Sequence, residues 1–394
     1  MFGYLRGATP YDGRAVVEAM AGARALKRLD SPAPVILGYW PAARTNPYQA
    51  LLYQQAWQQG FAPVALSSPQ DFAQLLEGCD ESVTPILHLH WTLEVLRGID
   101  DAVEAREQMA RFLALLDAFT AAGGHIVWTV HNVLPHDCTF PDLESALQRE
   151  IVERAQVVHV LTRSTSEAVA DQFTIPASKV LHVPHPHYIG TYADTLTREQ
   201  ARFDIGVEPD QIVYSMLGAI KPYKGLEDLL DAFDVLAARE PGRRRLVVAG
   251  LPDADGSVDD LLVRCESHPD VLLRAERVPD VDMQRYLKAA DVAVMPYRRS
   301  LNSGVLLLSM SFGVPVVVPD LGSTTEIVDS RFARTFDPAR DGDLLRALEA
   351  ADELVANPAA RIDARAKALE FDPAALSTTF FTQVRNRLGI HPSG

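Results

Sequence analysis

The feature that most constrains this chain is an alternation. Short runs rich in Val, Ile and Leu recur along it, each followed by a longer stretch whose apolar residues fall at helical spacing. "PVILGYW", "FAPVAL", "TPILHLH", "HIVWTV", "QVVHVLT" and "KVLHVPH" form a first series, and "QIVYSMLGAI", "RRLVVAG", "DVLLRA", "DVAVMPY" and "VPVVVPD" a second. Near-continuous apolar strands separated by amphipathic helices read as successive βαβ units, so each series predicts a parallel sheet covered on both faces. The fold class expected is therefore α/β, with two Rossmann-like, doubly wound domains. Between the series, "HPHYIGTYADTLTREQARFDIGVEPD" is polar and reads as a linker followed by a small helix. This gives a first domain over 1–190, a second over 191–372, and a terminal segment, 373–394, whose amphipathic helix carries Phe380 and Phe381 and is free to cross back to the first domain.

Composition excludes several classes. A formal net charge of −15 leaves no basic surplus for general nucleic-acid binding. Cys79, Cys138 and Cys265 show no CxxC spacing, which argues against a zinc site or disulfide framework and fits a reducing cytoplasm. "MFGYLRGATPYDGRAVVEAM" lacks the apolar core of an export signal, and no run reaches the roughly 20 apolar residues of a membrane span. Neither series carries G-x-G-x-x-G or G-x-x-x-x-G-K-[ST] after its first strand, which removes most support for a dehydrogenase or P-loop NTPase. Nucleotide-sugar transferases, epimerases, two-lobed solute-binding proteins and a few hydrolases stay open.

Ligands of open α/β sheets bind beyond the carboxyl ends of the strands, where helix amino termini present N–H groups. In "MLGAIKPYKGLEDLLDAF" a strand ends at Gly218, and Lys221 and Lys224 precede a helix opened by Gly225. In "PYRRSLNSGVLLLSMSFGVPVVVPD" the residues Tyr297, Arg298, Arg299, Asn302, Ser303 and Gly304 precede a second helix. Two cation-bearing turns of one domain suit a diphosphate, although solvated lysines and a plain Asn/Ser helix cap account for each turn taken singly. In the first domain, "TVHNVLPHDCTF" ends a strand and supplies His131, His136 and Asp137; an imidazole or carboxylate there is placed for general-base work. "LHLHW" sets His88 and His90 on one side of a strand end beside Trp91, and "HPHY" supplies His185 and His187. No nearby carboxylate completes a metal site, so hydrogen bonding to substrate is the expected role. Asn46 and Tyr48 in "TNPYQALLY" follow the first strand and are expected at a cleft lip, Asn46 as a helix cap.

Taken in order, "TNPYQALLY", "LHLHW", "HNVLPHD", "HPHY", "GAIKPYKG" and "MPYRRSLNSGVLLLSMSFGVPVV" resemble GT-B glycosyltransferases of the glycosyl transferases group 1 type. They are most similar to xanthan-type β-mannosyltransferases, which use GDP-mannose and a polyprenyl-diphosphate-linked oligosaccharide. The resemblance implies a nucleotide-sugar donor, a saccharide or lipid-linked oligosaccharide acceptor, contact with the inner membrane surface, and no metal or other cofactor. Retaining members of the larger family carry a glutamate pair around the last motif; here Ser300 and Leu308 stand at those positions. An inverting transfer is therefore implied, with Asp137 as base, Lys221, Lys224 and the Ser303 helix on the leaving diphosphate, Ser309 near the ribose, and His131 and Glu326 close to the donor. A retaining enzyme with a UDP-sugar, a nucleotide-sugar 2-epimerase and a solute-binding protein are the alternatives. Basic residues near the amino terminus (Arg6, Arg14, Arg24 and "LKRLD") suit an anionic membrane surface.

Overall fold

The computed structural model describes residues 14–43, 45–134 and 138–391. Arg6, His136 and Asp137 lie outside the described residues. The chain divides into two compact units, one holding the residues up to Pro186 together with those from Pro373 onward, the other running from His187 to Asp372.

In the first unit six strands form one sheet: β1 (Val35–Trp40), β2 (Phe61–Ala65), β3 (Thr84–Leu89), β4 (His125–Val130), β5 (Val157–Val160) and β6 (Val180–His182), ordered β2-β1-β3-β4-β5-β6. The second unit holds β7 (Ile212–Leu217), β8 (Arg244–Ala249), β9 (Val271–Arg274), β10 (Val292–Val294), β11 (Val316–Pro319) and β12 (Ala333–Phe336), ordered β12-β11-β10-β7-β8-β9. Every adjacent pair in both sheets is parallel. Helices cover both faces, which is why the strands read as unbroken apolar runs. The alternation thus translates into two doubly wound sheets as expected. β12 was not expected: it is an edge strand reading "ARTF", too short and too mixed in polarity to stand out.

Strand order fixes where a ligand can bind. In the second sheet the chain leaves β7 toward β8 and β9 on one side, then returns to β10 on the other. A crevice therefore opens where β7 and β10 lie side by side, at their carboxyl ends. The first sheet reverses in the same way between β1 and β3.

Each unit has its own core. In the first, Phe380 and Phe381 of the helix Pro373–Arg387 are fully buried with Val35, Leu37, Phe61 and Val127. Burying a side chain of this size contributes about 1.5–3 kcal/mol. The same helix is pinned by polar bonds: Ser377 Oγ donates to the Leu52 carbonyl (2.6 Å), and Arg385 donates to the carbonyls of Ala33 and Gln59 (both 2.9 Å). In the second unit the polar stretch after Pro186 is strapped down and does not act as a free tether. Tyr188 N–H donates to Ser311 Oγ (2.9 Å), and Thr195 and Leu196 N–H groups share Gln284 Oε1 (2.8 and 3.1 Å). Thr197 and Gln200 then form a reciprocal cap that starts the helix Arg198–Ile205. Among the described residues no helix is long and apolar enough to cross a membrane.

Candidate functional site

Two clusters lie at the carboxyl ends of the sheets, one in each unit. In the second unit β7 runs into Gly218, whose φ of +105° suits glycine. An added Cβ there would touch Val305 Cγ2 at 3.5 Å, so Gly218 faces the first turn of the helix Gly304–Ser311. After Gly218 comes a single 3-10 turn, Pro222–Lys224, then Gly225 and the helix Leu226–Arg239. Arg298 N–H donates to the Tyr223 carbonyl (3.2 Å), which ties this turn to the one after β10. The two cation-bearing turns that the sequence singled out are therefore in contact.

Lys224 is the best-placed cation. Its Nζ lies 3.8 Å from the centre of the Tyr297 ring and 5.2 Å from that of Tyr223. Burial pulls its pKa down, but the two tyrosines outweigh that and leave it above the ordinary lysine value, so it stays charged. Lys221 Nζ lies 3.8 Å from Asp253 Oδ2.

Two donor-site expectations need correction. Arg298 does not offer its charge to a ligand, because its guanidinium makes two 2.7 Å bonds to the Asp228 carboxylate and approaches Glu227 at 3.5 Å. Those acids sit in the first turn of the helix Leu226–Arg239 and counter its dipole, so Arg298 splints the two turns together. Ser309 is fully buried inside the helix Gly304–Ser311, with its hydroxyl unpartnered, and cannot reach a ribose. Leu308 beside it is buried too.

The start of that helix is better suited to an anion. No acid stands in its first turn, and Ser303 Oγ accepts the Leu306 N–H (3.2 Å) as an N-cap. Ser303 thus acts as the cap itself, while Gly304 and Val305, half-exposed, carry N–H groups that no intrahelical bond uses. Asn302 is half-buried, and its carbonyl accepts from Ser300 Oγ (3.0 Å). Ser323 Oγ donates to the Ser300 carbonyl (2.8 Å) and so fastens this loop to the helix Gly322–Thr325, at whose end Glu326 is exposed.

In the first unit the histidines form one buried chain. The Val183 carbonyl can only accept, so His159 Nε2 donates to it (2.9 Å). The neutral ring's Nδ1 then accepts from Thr129 Oγ1 (3.0 Å), which itself accepts from His88 Nε2 (2.7 Å). His88 Nδ1 accepts the one proton of the Tyr53 hydroxyl (2.7 Å), so the Tyr53 oxygen accepts from His90 Nε2 (2.7 Å). Finally His90 Nδ1 accepts from His131 Nε2 (3.1 Å). The bonding pattern assigns His159, His88, His90 and His131 the Nε2–H tautomer. Burial drives the pKa values of His88, His90 and His131 well below the usual histidine range, with neighbouring imidazoles adding to it, so the rings are neutral. Trp91 stacks on His131 at 4.3 Å, and Tyr48 meets it edge-on at 5.2 Å.

Two of the histidines expected to bond substrate are thus already occupied. His88 and His90 are buried and use both ring nitrogens within the protein. His185 is buried beside its bond to the Pro186 carbonyl (2.7 Å), and His187, in the second unit, accepts the Ile189 N–H (3.1 Å). Tyr48 is buried inside the first unit, and Asn46 Oδ1 accepts its N–H (3.0 Å). Tyr53, Thr129 and His159 were missed. For Thr129 and His159 the signal was the parallel pairing of β4 and β5, whose register sets the polar Thr129 opposite His159.

Burial lowers the pKa of both His159 and His185 to about 4, partly offset by their backbone bonds. Folded values below the unfolded one mean that their stabilising contribution is full above about pH 6.5 and is lost as pH falls toward 4. The loss is worth on the order of 3 kcal/mol per ring. The urea midpoint is expected to drop steeply between pH 7 and 4.5, and less steeply in His159→Gln; equal slopes would show that His159 does not drive it.

Comparison with known proteins adds the family context. Residues 211–357 match the family model for glycosyl transferases group 1. The GDP-mannose:glycolipid 4-beta-D-mannosyltransferase of Xanthomonas campestris pv. campestris is 28% identical over 73% of this chain and 74% of its own length. A D-inositol 3-phosphate glycosyltransferase of Kineococcus radiotolerans is 29% identical over 46% of this chain and 44% of its own. Among solved structures, Anabaena HepE in complex with UDP superposes with a TM-score of 0.63 at 15% identity, covering 90% of this chain and all of that one. Sucrose-phosphate synthase from Thermosynechococcus elongatus gives 0.64 at 15%, covering 91% of this chain and all of that one. The fold is GT-B.

Proposed function

We propose that this chain, a glycosyltransferase of the GT-B type, moves mannose from GDP-mannose to a saccharide or polyprenyl-diphosphate-linked oligosaccharide, with inversion and without a metal ion. One observation carries the donor half of this reading. At the switch point of the second sheet, Lys224 is held over Tyr297 next to the unacidified start of the Gly304 helix. A leaving diphosphate lodged there would meet a fixed cation and backbone N–H groups as its charge grows. Mannose and GDP are favoured by the Xanthomonas relative, and inversion by Ser300 and Leu308 replacing a glutamate pair.

Inversion in one step requires a base for the acceptor hydroxyl. We assign it to the loop after β4, with Asp137 as first candidate and His136 beside it. His131, which the resemblance sets close to the donor, is the candidate for contact with the sugar or a phosphate oxygen. Metal independence is supported by the cationic provision for the diphosphate. Contact with the inner membrane surface belongs to the lipid-linked form of the acceptor.

The test is a thermal-shift comparison of GDP, UDP and dTDP, followed by NMR of the transfer product. A GDP-selective shift and a β-linked mannoside are expected. A UDP-selective shift with an α-linked product would replace this reading by a retaining UDP-sugar enzyme, and isomerisation of donor alone would replace it by an epimerase.

A further inference from the structure

The histidine chain of the first unit ends at two unlike groups. One end is the Val183 carbonyl, which can only accept, and the other is the His131 ring in the loop after β4. A peptide carbonyl takes up no proton, so the chain does not conduct protons; it fixes the direction in which every donor points. Reversing that direction would set a bare His159 Nε2 against the Val183 oxygen at 2.9 Å, two lone pairs facing each other in a buried site. Thr129 and Tyr53 pass the direction on, because each has a hydroxyl with one proton between two imidazoles. Thr129 Oγ1 stands between His159 and His88, and Tyr53, just past the helix Tyr48–Leu52, stands 2.7 Å from both His88 Nδ1 and His90 Nε2. Burial pushes the Tyr53 pKa well above the ordinary tyrosine value, with Tyr39 and Tyr48 adding to it, so its proton stays on the oxygen. Phe380 of the terminal helix packs on the rings of His88 (5.3 Å) and His159 (5.0 Å), and both rings are fully buried.

We propose that Tyr53 is a positioning residue: its hydroxyl carries the polarity set at Val183 across to His90 and so holds the proton of His131 on Nε2. Stacking around His131 cannot do this. Trp91 lies almost parallel to it at 4.3 Å and 16°, and Tyr48 meets it edge-on, contacts that fix the plane of the ring but not which nitrogen bears the proton. The bond to His90 distinguishes the two nitrogens, and its sense is set by His90 and hence by Tyr53. Where the proton sits depends on no reading of function; that it matters to turnover rests on the transferase reading, in which His131 is the candidate for contact with the donor.

The experiment is ring 15N NMR of the full chain, labelled at histidine, at about pH 8, where ordinary imidazoles are neutral. His131 is identified by the signals missing from His131→Gln. In the wild type its Nε2 should show the shift of a protonated ring nitrogen and its Nδ1 that of an unprotonated one. Tyr53→Phe removes one oxygen with little change of shape and leaves His90 Nε2 without an acceptor. A buried N–H without an acceptor is disfavoured more than a bare acceptor, so His90 should turn its proton toward His131, and the Nδ1–H form of His131 should become the major one. Thr129→Val, which cuts the chain beyond His88, should have the same effect, and Thr129→Ser, which keeps the hydroxyl, should leave the wild-type tautomer. As the competent tautomer becomes a minor fraction, nucleotide-sugar turnover by Tyr53→Phe should fall about threefold to tenfold in kcat, with donor KM within about twofold. If Tyr53→Phe fails to fold, the two Thr129 variants decide alone. A His131 that keeps Nε2–H in both chain-breaking variants, or lacks it in the wild type, would overturn the proposal, and so would a switched tautomer with unchanged turnover. A wild type without turnover or a GDP-induced thermal shift, but with the tautomers as stated, would support the role of Tyr53 and overturn the transferase reading instead.

Discussion

Lys224→Ala is expected to lower the turnover of nucleotide sugar by about 10²–10³, the usual cost of removing one preorganised group that meets growing charge. The size of the effect follows from how the side chain is held. Its ammonium rests on the Tyr297 ring at 3.8 Å, so its position is set before any ligand arrives. Lys221, with Asp253 at 3.8 Å, shares its charge with a carboxylate, and Lys221→Ala should cost no more than about tenfold. Initial rates at saturating donor, with GDP affinity measured alongside, separate ground-state from transition-state effects. A loss confined to KM, or a change below threefold, would remove Lys224 from leaving-group stabilisation.

Gly225→Ala is expected to destabilise the second unit by about 3 kcal/mol or more and to abolish the nucleotide-induced thermal shift. Gly225 has φ +72°, and a Cβ there would sit 1.9 Å from the Pro296 carbonyl oxygen. That oxygen is backbone, two residues beyond β10, so relief requires parting the Lys224 turn from the Tyr297 turn. Gly242→Ala is the matched control: its φ is +77°, but nothing lies within 4 Å of the added carbon. It should cost only the left-handed backbone strain of roughly 1–2 kcal/mol. Urea midpoints of the two variants test the contrast, and similar values would mean that the turns are not locked together through Gly225.

The sequence disclosed the strands well where they were buried on both faces. β7, β10 and β11 are runs dominated by buried Val, Leu and Met that cannot be read as surface, whereas β12, pairing on one side only, carries Arg334 and Thr335 and was invisible. The site was legible to the extent that it depends on local order: a strand end, a small turn and a helix start follow one another in sequence. What Arg298 does was not legible, because its partner Asp228 lies 70 residues away on another helix. Ser309 was misread for a similar reason, since the face a helical residue presents depends on what the helix packs against. Tyr53 and Thr129 were passed over because neither looks unusual in its own segment.

By itself, the sequence determined two parallel α/β units and the two turns that carry cations toward a helix start, since apolar periodicity and turn chemistry are properties of neighbours along the chain. Only the tertiary structure decided which of those charges are already neutralised and which histidines are spent on one another. Hydrogen bonds and ion pairs form between atoms near in space, and strand order, not sequence distance, sets which atoms those are.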